Sequence, residues 1–231
     1  MARGRAALIS VIVPTLNEEA ALPETLRRVL DQQGVSSQVI VVDGGSRDNT
    51  PQVVAAVPGV EWMTAAPGRA SQMNAGATRA SGDWLLFLHA DTWLPAGALN
   101  AIVSLDQEIS AGGFCQQFSG AHWFLGLVSR LHNWRCRRSG VIYGDQALFI
   151  RRELFAQIGG FPDSAELEDV LISERILADS RPVLMPQTVI TSSRKFEQRG
   201  PCRCFFDIVV IMCCYELRLP LLRRVFFSEY R

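Results

Sequence analysis

The chain has 231 residues, 48% of them hydrophobic and 20% charged, enough to bury a sizeable core without disulfide or metal staples. Basic and acidic residues balance at 23 each, which excludes a global field that would draw the protein to nucleic acid.

Arg3 and Arg5 ahead of the apolar stretch 6–13 imitate a secretion signal. The run is short, however, and Asn17-Glu18-Glu19 follows it with no small-residue cleavage site, so residues 8–13 read as a buried first strand. Leu22, Leu26, Val29 and Leu30 then recur at helical spacing. Residues 39–42 form a second β-branched strand, closed by the turn Asp43-Gly44-Gly45-Ser46. Thr50-Pro51 opens a helix with a capping residue and proline at its first position. Residues 60–64 read as a third strand, the small-residue stretch 70–80 as a helix, and 84–88 as a fourth strand, apolar throughout. Strands this apolar are covered on both faces, which predicts an α/β fold with a mostly parallel open sheet flanked by helices. Further on, 112–118 and 147–150 read as strands, and 122–138, 167–177 and 205–217 as helices. No internal repeat or low-complexity linker interrupts the chain, so one domain over 1–231 is the economical division.

Of the six cysteines (Cys115, Cys136, Cys202, Cys204, Cys213, Cys214), neither Cys202-x-Cys204 nor Cys213-Cys214 has zinc-finger spacing. Buried thiols in a reducing, cytoplasmic compartment are the simplest reading. No stretch reaches the roughly 18–20 apolar residues that span a bilayer, so a soluble or peripheral protein is expected.

Ligands of open parallel sheets bind beyond the carboxyl ends of the strands. Three such ends carry polar residues here: Pro14-Thr15-Leu16-Asn17-Glu18-Glu19, Asp43-Gly44-Gly45-Ser46-Arg47-Asp48 and His89-Ala90-Asp91. No Gly-x-Gly-x-x-Gly follows the first strand and no Gly-Lys-Ser/Thr loop is present, which removes the dinucleotide and phosphate-loop readings. Proline after the first strand fixes a bend, while Thr15 and Glu18 can hydrogen-bond a sugar or base. The plain alternative is an acidic helix start that complements the helix dipole.

The run Val11-Ile12-Val13-Pro14-Thr15-Leu16-Asn17-Glu18-Glu19, then Val41-Val42-Asp43-Gly44-Gly45-Ser46-Arg47-Asp48-Asn49-Thr50, resembles the family 2 glycosyltransferases. So do Arg69 through Gly76, Gly82-Asp83, His89-Ala90-Asp91 and Glu168-Asp169 with Arg175 six residues on. The resemblance covers residues 8–180 in order. It implies a GT-A fold with a Rossmann-like N-terminal half: a nucleotide-binding half over 8–100, an acceptor and catalytic half over 101–200, and a C-terminal helical segment over 201–231.

It further implies an inverting transfer from a nucleotide-diphosphate-sugar donor to an acceptor hydroxyl, assisted by Mg²⁺ or Mn²⁺. Pro14, Thr15, Asn17, Glu18, Asp43, Arg69, Gly76, Ala90 and Asp91 match donor-binding positions. Asp43 would accept from the nucleobase imide, or it is a turn-forming aspartate. Arg69 would meet the base or the diphosphate as a fixed cation. Gly76 would admit the nucleotide backbone, or it helps a helix pack on the sheet. Asp91 matches the metal-binding position. His89 departs from the family's triplet, which carries aspartate at both ends; it would touch ribose, tolerate Mn²⁺, or be a satisfied strand-end histidine. Asp169 matches the base, with Glu168 orienting it or the acceptor; Asp145, in Gly144-Asp145-Gln146, is a second carboxylate that could exchange roles with Asp169.

Thr191-Ser192-Ser193-Arg194-Lys195 suits either a cationic lid over the diphosphate or a surface loop. Residues 194–231 hold eight basic against four acidic side chains, and the rest of the chain 15 against 19. Two apolar stretches, 123–128 and 205–215, are followed by Arg130, Arg135, Arg137 and Arg138 and by Arg218, Arg223 and Arg224. Both suit a helix lying on an anionic membrane face, which would favour a lipid-linked acceptor, or else a core or homodimer helix with a solvated end. Against the glycosyltransferase reading stand a catalytically silent nucleotide-sugar-binding module, made conceivable by the altered triplet, and an enzyme that makes nucleotide-sugars, which the missing glycine-rich loop disfavours.

Overall fold

The computed structural model describes residues 7–162 and 167–194. Lys195, Cys202, Cys204, Cys213, Cys214 and the stretch 201–231, with its expected helix, lie outside the described residues. In chain order the elements are β1 (Leu8–Thr15), α1 (Leu22–Leu30), β2 (Ser36–Asp43), α2 (Thr50–Ala55), β3 (Val60–Thr64), α3 (Arg69–Arg79), β4 (Trp84–Phe87) and β5 (Thr92–Trp93). There follow α4 (Ala98–Val103), β6 (Ala111–Phe118), α5 (Trp123–Ser139), a 3₁₀ turn (Gly144–Gln146), β7 (Phe149–Arg151), α6 (Arg152–Gln157), α7 (Glu168–Leu177) and β8 (Val183–Thr191).

The strands make one sheet in the order β3-β2-β1-β4-β7-β6-β8-β5. Pairings β1–β2, β2–β3, β1–β4 and β6–β8 are parallel, whereas β4–β7, β6–β7 and β5–β8 are antiparallel. The parallel expectation therefore holds for the N-terminal half, and the sheet becomes mixed beyond β4. Alternation along β1 explains the layering: Ile9, Val11 and Val13 face one core with Leu22, Leu26, Val29, Leu99 and Ile102. Ile12 faces the other, with Ile40, Val42, Met73, Phe87, Ile172 and Ile176. Each such side chain contributes about 1.5–3 kcal/mol on full burial.

Four elements have no counterpart in the sequence reading. Strand β5 is two residues long, and α4 and α6 are six each, too short to display a period. Strand β8 is mostly half-buried and holds Pro186, which has no N–H for the ladder; Phe114 and Cys115 of β6 pair with Met185 and Thr188, so a bulge absorbs Pro186 and Gln187. Strand β7 starts at Phe149 rather than at 147 because Ala147 is in the left-handed region at φ 51°. Thr50 is not the cap of α2 but its first residue: Asn49 precedes the helix, and the Thr50 N–H donates to Asp48 Oδ1 at 3.0 Å. Cys115 and Cys136 are buried free thiols, and burial pushes the Cys115 thiol up.

Candidate active site

Thr15 stands opposite Asp43 in the β1–β2 register, so the first two loops leave the sheet side by side. Gln72 of α3 ties these ends together, its Nε2 donating to Thr15 O at 2.8 Å and Val42 O at 2.7 Å. Gly44 is small because a Cβ there would lie 3.1 Å from the Gln72 side chain. The Asp43 carboxylate is buried and accepts from the Gly45 and Ser46 N–H groups, both at 2.9 Å, and from the Ser46 hydroxyl.

The first loop is laced to the second. Asn17, left-handed at φ 55°, donates its N–H to Ser46 Oγ and accepts the Arg47 N–H, both at 2.8 Å. The Glu18 N–H donates to Thr50 Oγ1 at 2.9 Å, and Glu19 Oε2 accepts from both the N–H and Nδ2 of Asn49 at 2.8 Å. Pro14 lies within β1 and is buried, and the Thr15 hydroxyl donates to Val42 O at 3.3 Å. Pro14, Thr15 and Asn17 are thus occupied in shaping the strand ends. The Glu18 carboxylate pairs with Arg194 Nη2 at 2.8 Å, which brings the end of β8 over the first loop.

Beyond β4, the Ala90 carbonyl accepts the Thr25 hydroxyl at 2.7 Å, and Asp91 O accepts the Ser192 N–H at 3.0 Å. Arg69 and Arg194 both lie near enough to Asp91 for its charge to raise their pKa values. Desolvation opposes the Arg69 charge, but Glu168 and Asp169 outweigh it together with Asp91. Arg69 Nη1 pairs with Glu168 Oε1 at 3.2 Å. Both guanidinium groups therefore lie within electrostatic reach of Asp91. Gly76 sits where α3 crosses the sheet: a Cβ would meet Ile12 Cγ2 at 2.5 Å and Val42 Cγ2 at 3.0 Å, so helix packing alone requires glycine there.

His89, Gly144, Glu168 and Asp169 line one cleft together with Met73, Phe87, Leu148 and Phe161. Asp169 Oδ2 accepts the Gly144 N–H at 3.0 Å and Oδ1 accepts the Val170 N–H at 2.8 Å. Desolvation, then the neighbouring Glu168 charge, push the Asp169 carboxyl up to about 6 against the Gly144 N–H and Arg69. His89 is pushed down to about 4 by desolvation and then by Arg69, so its imidazole is neutral at pH 7. It packs on Gly144, where a Cβ would lie 2.4 Å from Nε2. Leu167, left-handed at φ 55°, turns the chain into α7 and sets the acidic pair in its first turn.

Asp145 enters a third ion pair, with Oδ1 3.4 Å from His132 Nε2 of α5. Neither atom has a well-aligned hydrogen bond, so the contact is chiefly one of charge. Desolvation works against both charged forms, yet the pairing raises His132 to about 10 and lowers Asp145. Gln72, Ser46, Thr50 and His132 thus build the site although no site role was assigned to them from sequence, whereas Arg194 belongs to the 191–195 stretch expected to be a cationic lid or a surface loop. Only Gln72 carried a local signal, a polar residue one turn after Arg69 and one turn before Gly76 on the same helix face.

Among the described residues no group of three or more His, Cys, Asp or Glu side chains is gathered to hold a metal. Asp91, a single carboxylate, still suits a hard divalent cation whose remaining ligands are phosphate oxygens and water.

The glycosyl transferase family 2 model matches residues 10–161. Over 155 residues the chain is 28% identical to the undecaprenyl-phosphate 4-deoxy-4-formamido-L-arabinose transferase of Sodalis glossinidius (strain morsitans), covering 62% of this chain and 48% of that protein. The chain thus spans about half the length of this curated relative. The mannosyltransferase PcManGT of Pyrobaculum calidifontis, solved with GDP-Man and Mn²⁺, superposes with a TM-score of 0.68 at 21% identity, over 98% of this chain and 70% of that one. S. aureus TarS 1-349 in complex with UDP-GlcNAc superposes with a TM-score of 0.63 at 19% identity, over 80% of this chain and 58% of that one. These likenesses show the GT-A fold. With the family model matched across the greater part of the chain, from β1 to the end of the Gly159-Gly160 turn, the chain belongs to glycosyl transferase family 2.

Proposed function

We propose that the chain is an inverting, metal-assisted glycosyltransferase that moves a sugar from a nucleotide-diphosphate-sugar to an acceptor hydroxyl, with Asp169 as the base. The observation that carries this reading is the Asp169 carboxylate, raised to about 6 in the cleft that also holds Glu168, His89 and Gly144. A carboxylate with that pKa is ionised at pH 7 yet takes a proton far more readily than an ordinary aspartate. The Gly144 and Val170 N–H groups hold one oxygen each and so fix its direction. Asp169 takes the proton of the acceptor hydroxyl as the oxygen attacks the anomeric carbon. The bond to the diphosphate breaks on the opposite face, and its electron pair leaves with the diphosphate.

Arg69 and Arg194, both within electrostatic reach of Asp91, supply fixed positive charge where the diphosphate leaves. Glu168, paired with Arg69, positions that cation and keeps the Asp169 carboxyl high. Asp145 is the weaker candidate for base, because His132 holds it below the usual carboxylate range. Asp43 spends three acceptor positions on its own loop, and a carboxylate has about four, which leaves one for a nucleobase imide. Asp91 would hold the divalent ion, with neutral His89 a second donor suited to Mn²⁺ or to ribose. A bound ion supplies charge neutralisation on the diphosphate.

Residues 8–100 take the donor in this reading, and residues 101–200 the acceptor and the base. Donor chemistry draws support from the GDP-Man and Mn²⁺ complex of PcManGT and the UDP-GlcNAc complex of TarS. The undecaprenyl phosphate in the Sodalis relative's name supports a lipid-linked acceptor and a peripheral position on the cytoplasmic membrane face.

Calorimetry with a panel of uridine and guanosine diphosphate-sugars, alongside a nucleotide-release assay, tests the roles. Asp169→Asn should lower turnover by about 10²–10⁴-fold with donor binding kept. Asp91→Asn should instead weaken Mn²⁺-dependent donor binding by about tenfold or more. Equal losses of binding in the two variants would refute this division of roles. Metal-dependent binding with no turnover on any acceptor would favour the silent module.

A further inference from the structure

Helix α5 presents an outer face that nothing in the proposed chemistry uses. Trp123, Leu127, Leu131 and Trp134 are exposed at 74%, 44%, 51% and 61%. At 100° per residue they fall, with Arg130 and Arg138, within an arc of about 100°. The opposite side is buried through Leu125, Val128, Ser129 and Cys136. Large exposed apolar side chains gathered on one face mark an interaction surface. Residues 123–139 contain Arg130, Arg135, Arg137 and Arg138 and no aspartate or glutamate. The exposed face of Trp123, Leu127, Arg130, Leu131, Trp134 and Arg138 is therefore aromatic, aliphatic and cationic only.

We propose that this face of α5 docks the protein on an anionic phospholipid membrane, its tryptophans and leucines at the acyl boundary and its arginines among the headgroups. Tryptophan and arginine are the residues that rest best at that boundary, an apolar body with a polar end in each case. Charge argues against a second copy as the occupant. A two-fold contact sets the same patch against itself, so arginines would meet arginines with no acid on the helix to answer them. The inner side of α5 carries His132, whose partner Asp145 lies beside Gly144 and hence beside Asp169. Docking would thus set the acceptor half of the site against the lipid surface. That consequence rests on the lipid-linked acceptor proposed above, whereas the docking itself does not.

Flotation of the full chain with vesicles of phosphatidylcholine, alone or mixed with phosphatidylglycerol, tests the surface. The wild type should float with the mixed vesicles and at least tenfold less with phosphatidylcholine alone. Leu127→Glu with Leu131→Glu should lose binding to both, and Arg130→Gln with Arg138→Gln should weaken binding to mixed vesicles by about 25-fold, near fivefold per arginine. All variants change exposed positions and should keep donor binding in solution, which calorimetry checks. Failure of the wild type to float, or unchanged binding by both double variants, would overturn the docking face. So would a concentration-dependent dimer, seen by analytical ultracentrifugation, that the Leu127→Glu, Leu131→Glu variant abolishes. Transfer to a detergent-solubilised acceptor without flotation would refute docking and leave the enzyme reading standing; flotation without transfer would do the reverse.

Discussion

Asp43 and Asp169 are the same residue type in two differently built corners of one site. Asp43 ends β2 and takes its three hydrogen bonds from Gly45 and Ser46, two and three residues further on. Asp169 opens α7 next to Glu168, and its outside donor, the Gly144 N–H, lies 25 residues away in sequence. A carboxylate saturated by donors from its own turn serves as a pin. A carboxylate that is desolvated and has an acid beside it holds a proton more tightly than a free aspartate, which is what a base needs. The difference is in the surroundings, and those surroundings have different origins: local chain for Asp43, converging segments for Asp169.

Three experiments would break or sharpen that contrast. The largest effect is expected in the pH dependence of turnover at saturating donor. If Asp169 is the base, kcat should rise about tenfold per pH unit up to about pH 6 and then level off. A profile flat down to about pH 4 would remove Asp169 from the role. The same shift costs stability: a folded pKa above the ordinary 3.8 favours the protonated native state. That cost is absent below about 3.8 and complete above about 6.

Next is the pin. Asp43→Asn leaves one amide nitrogen facing donors that need an acceptor, in a buried turn, and should cost about 1–3 kcal/mol in denaturant unfolding. The acidic limb of kcat should stay where it was, because the two corners are separately held. A stability loss near zero would show that the turn does not depend on the carboxylate.

The smallest effect belongs to Glu168→Gln. Removing the adjacent charge, and with it the Arg69 pairing, should move the acidic limb to lower pH by a fraction of a unit. A shift to higher pH would mean that Arg69, not Glu168, governs the Asp169 carboxyl.

What could be read from the sequence was the part whose causes lie close along the chain. Apolar runs marked β1, β2 and β4, helical spacing marked α1, small residues marked α3, and α5 and α7 also read as helices, each to within a few residues. Asp43 and Asp91 were legible as polar strand ends, whereas Asp169 was a candidate only through the resemblance to the family's catalytic segment. The short elements β5, α4 and α6 were not, since six residues or fewer cannot show a period. Nor was β8, whose Pro186 argues locally against a strand and is accommodated only by a bulge against β6.

The tertiary structure alone decided which polar groups are spent and which are left to act. Arg194 reaches Glu18 across 176 residues, Arg69 reaches Glu168 across 99, and His132 pairs with Asp145. It also decided that Gly76 answers to Ile12 and Val42, and Gly144 to His89. The physical reason is common to all of them. Period and turn chemistry depend on neighbours a few residues away. A carboxylate's proton affinity depends on every charge and donor that folding brings within a few ångströms, and most of those come from elsewhere in the chain.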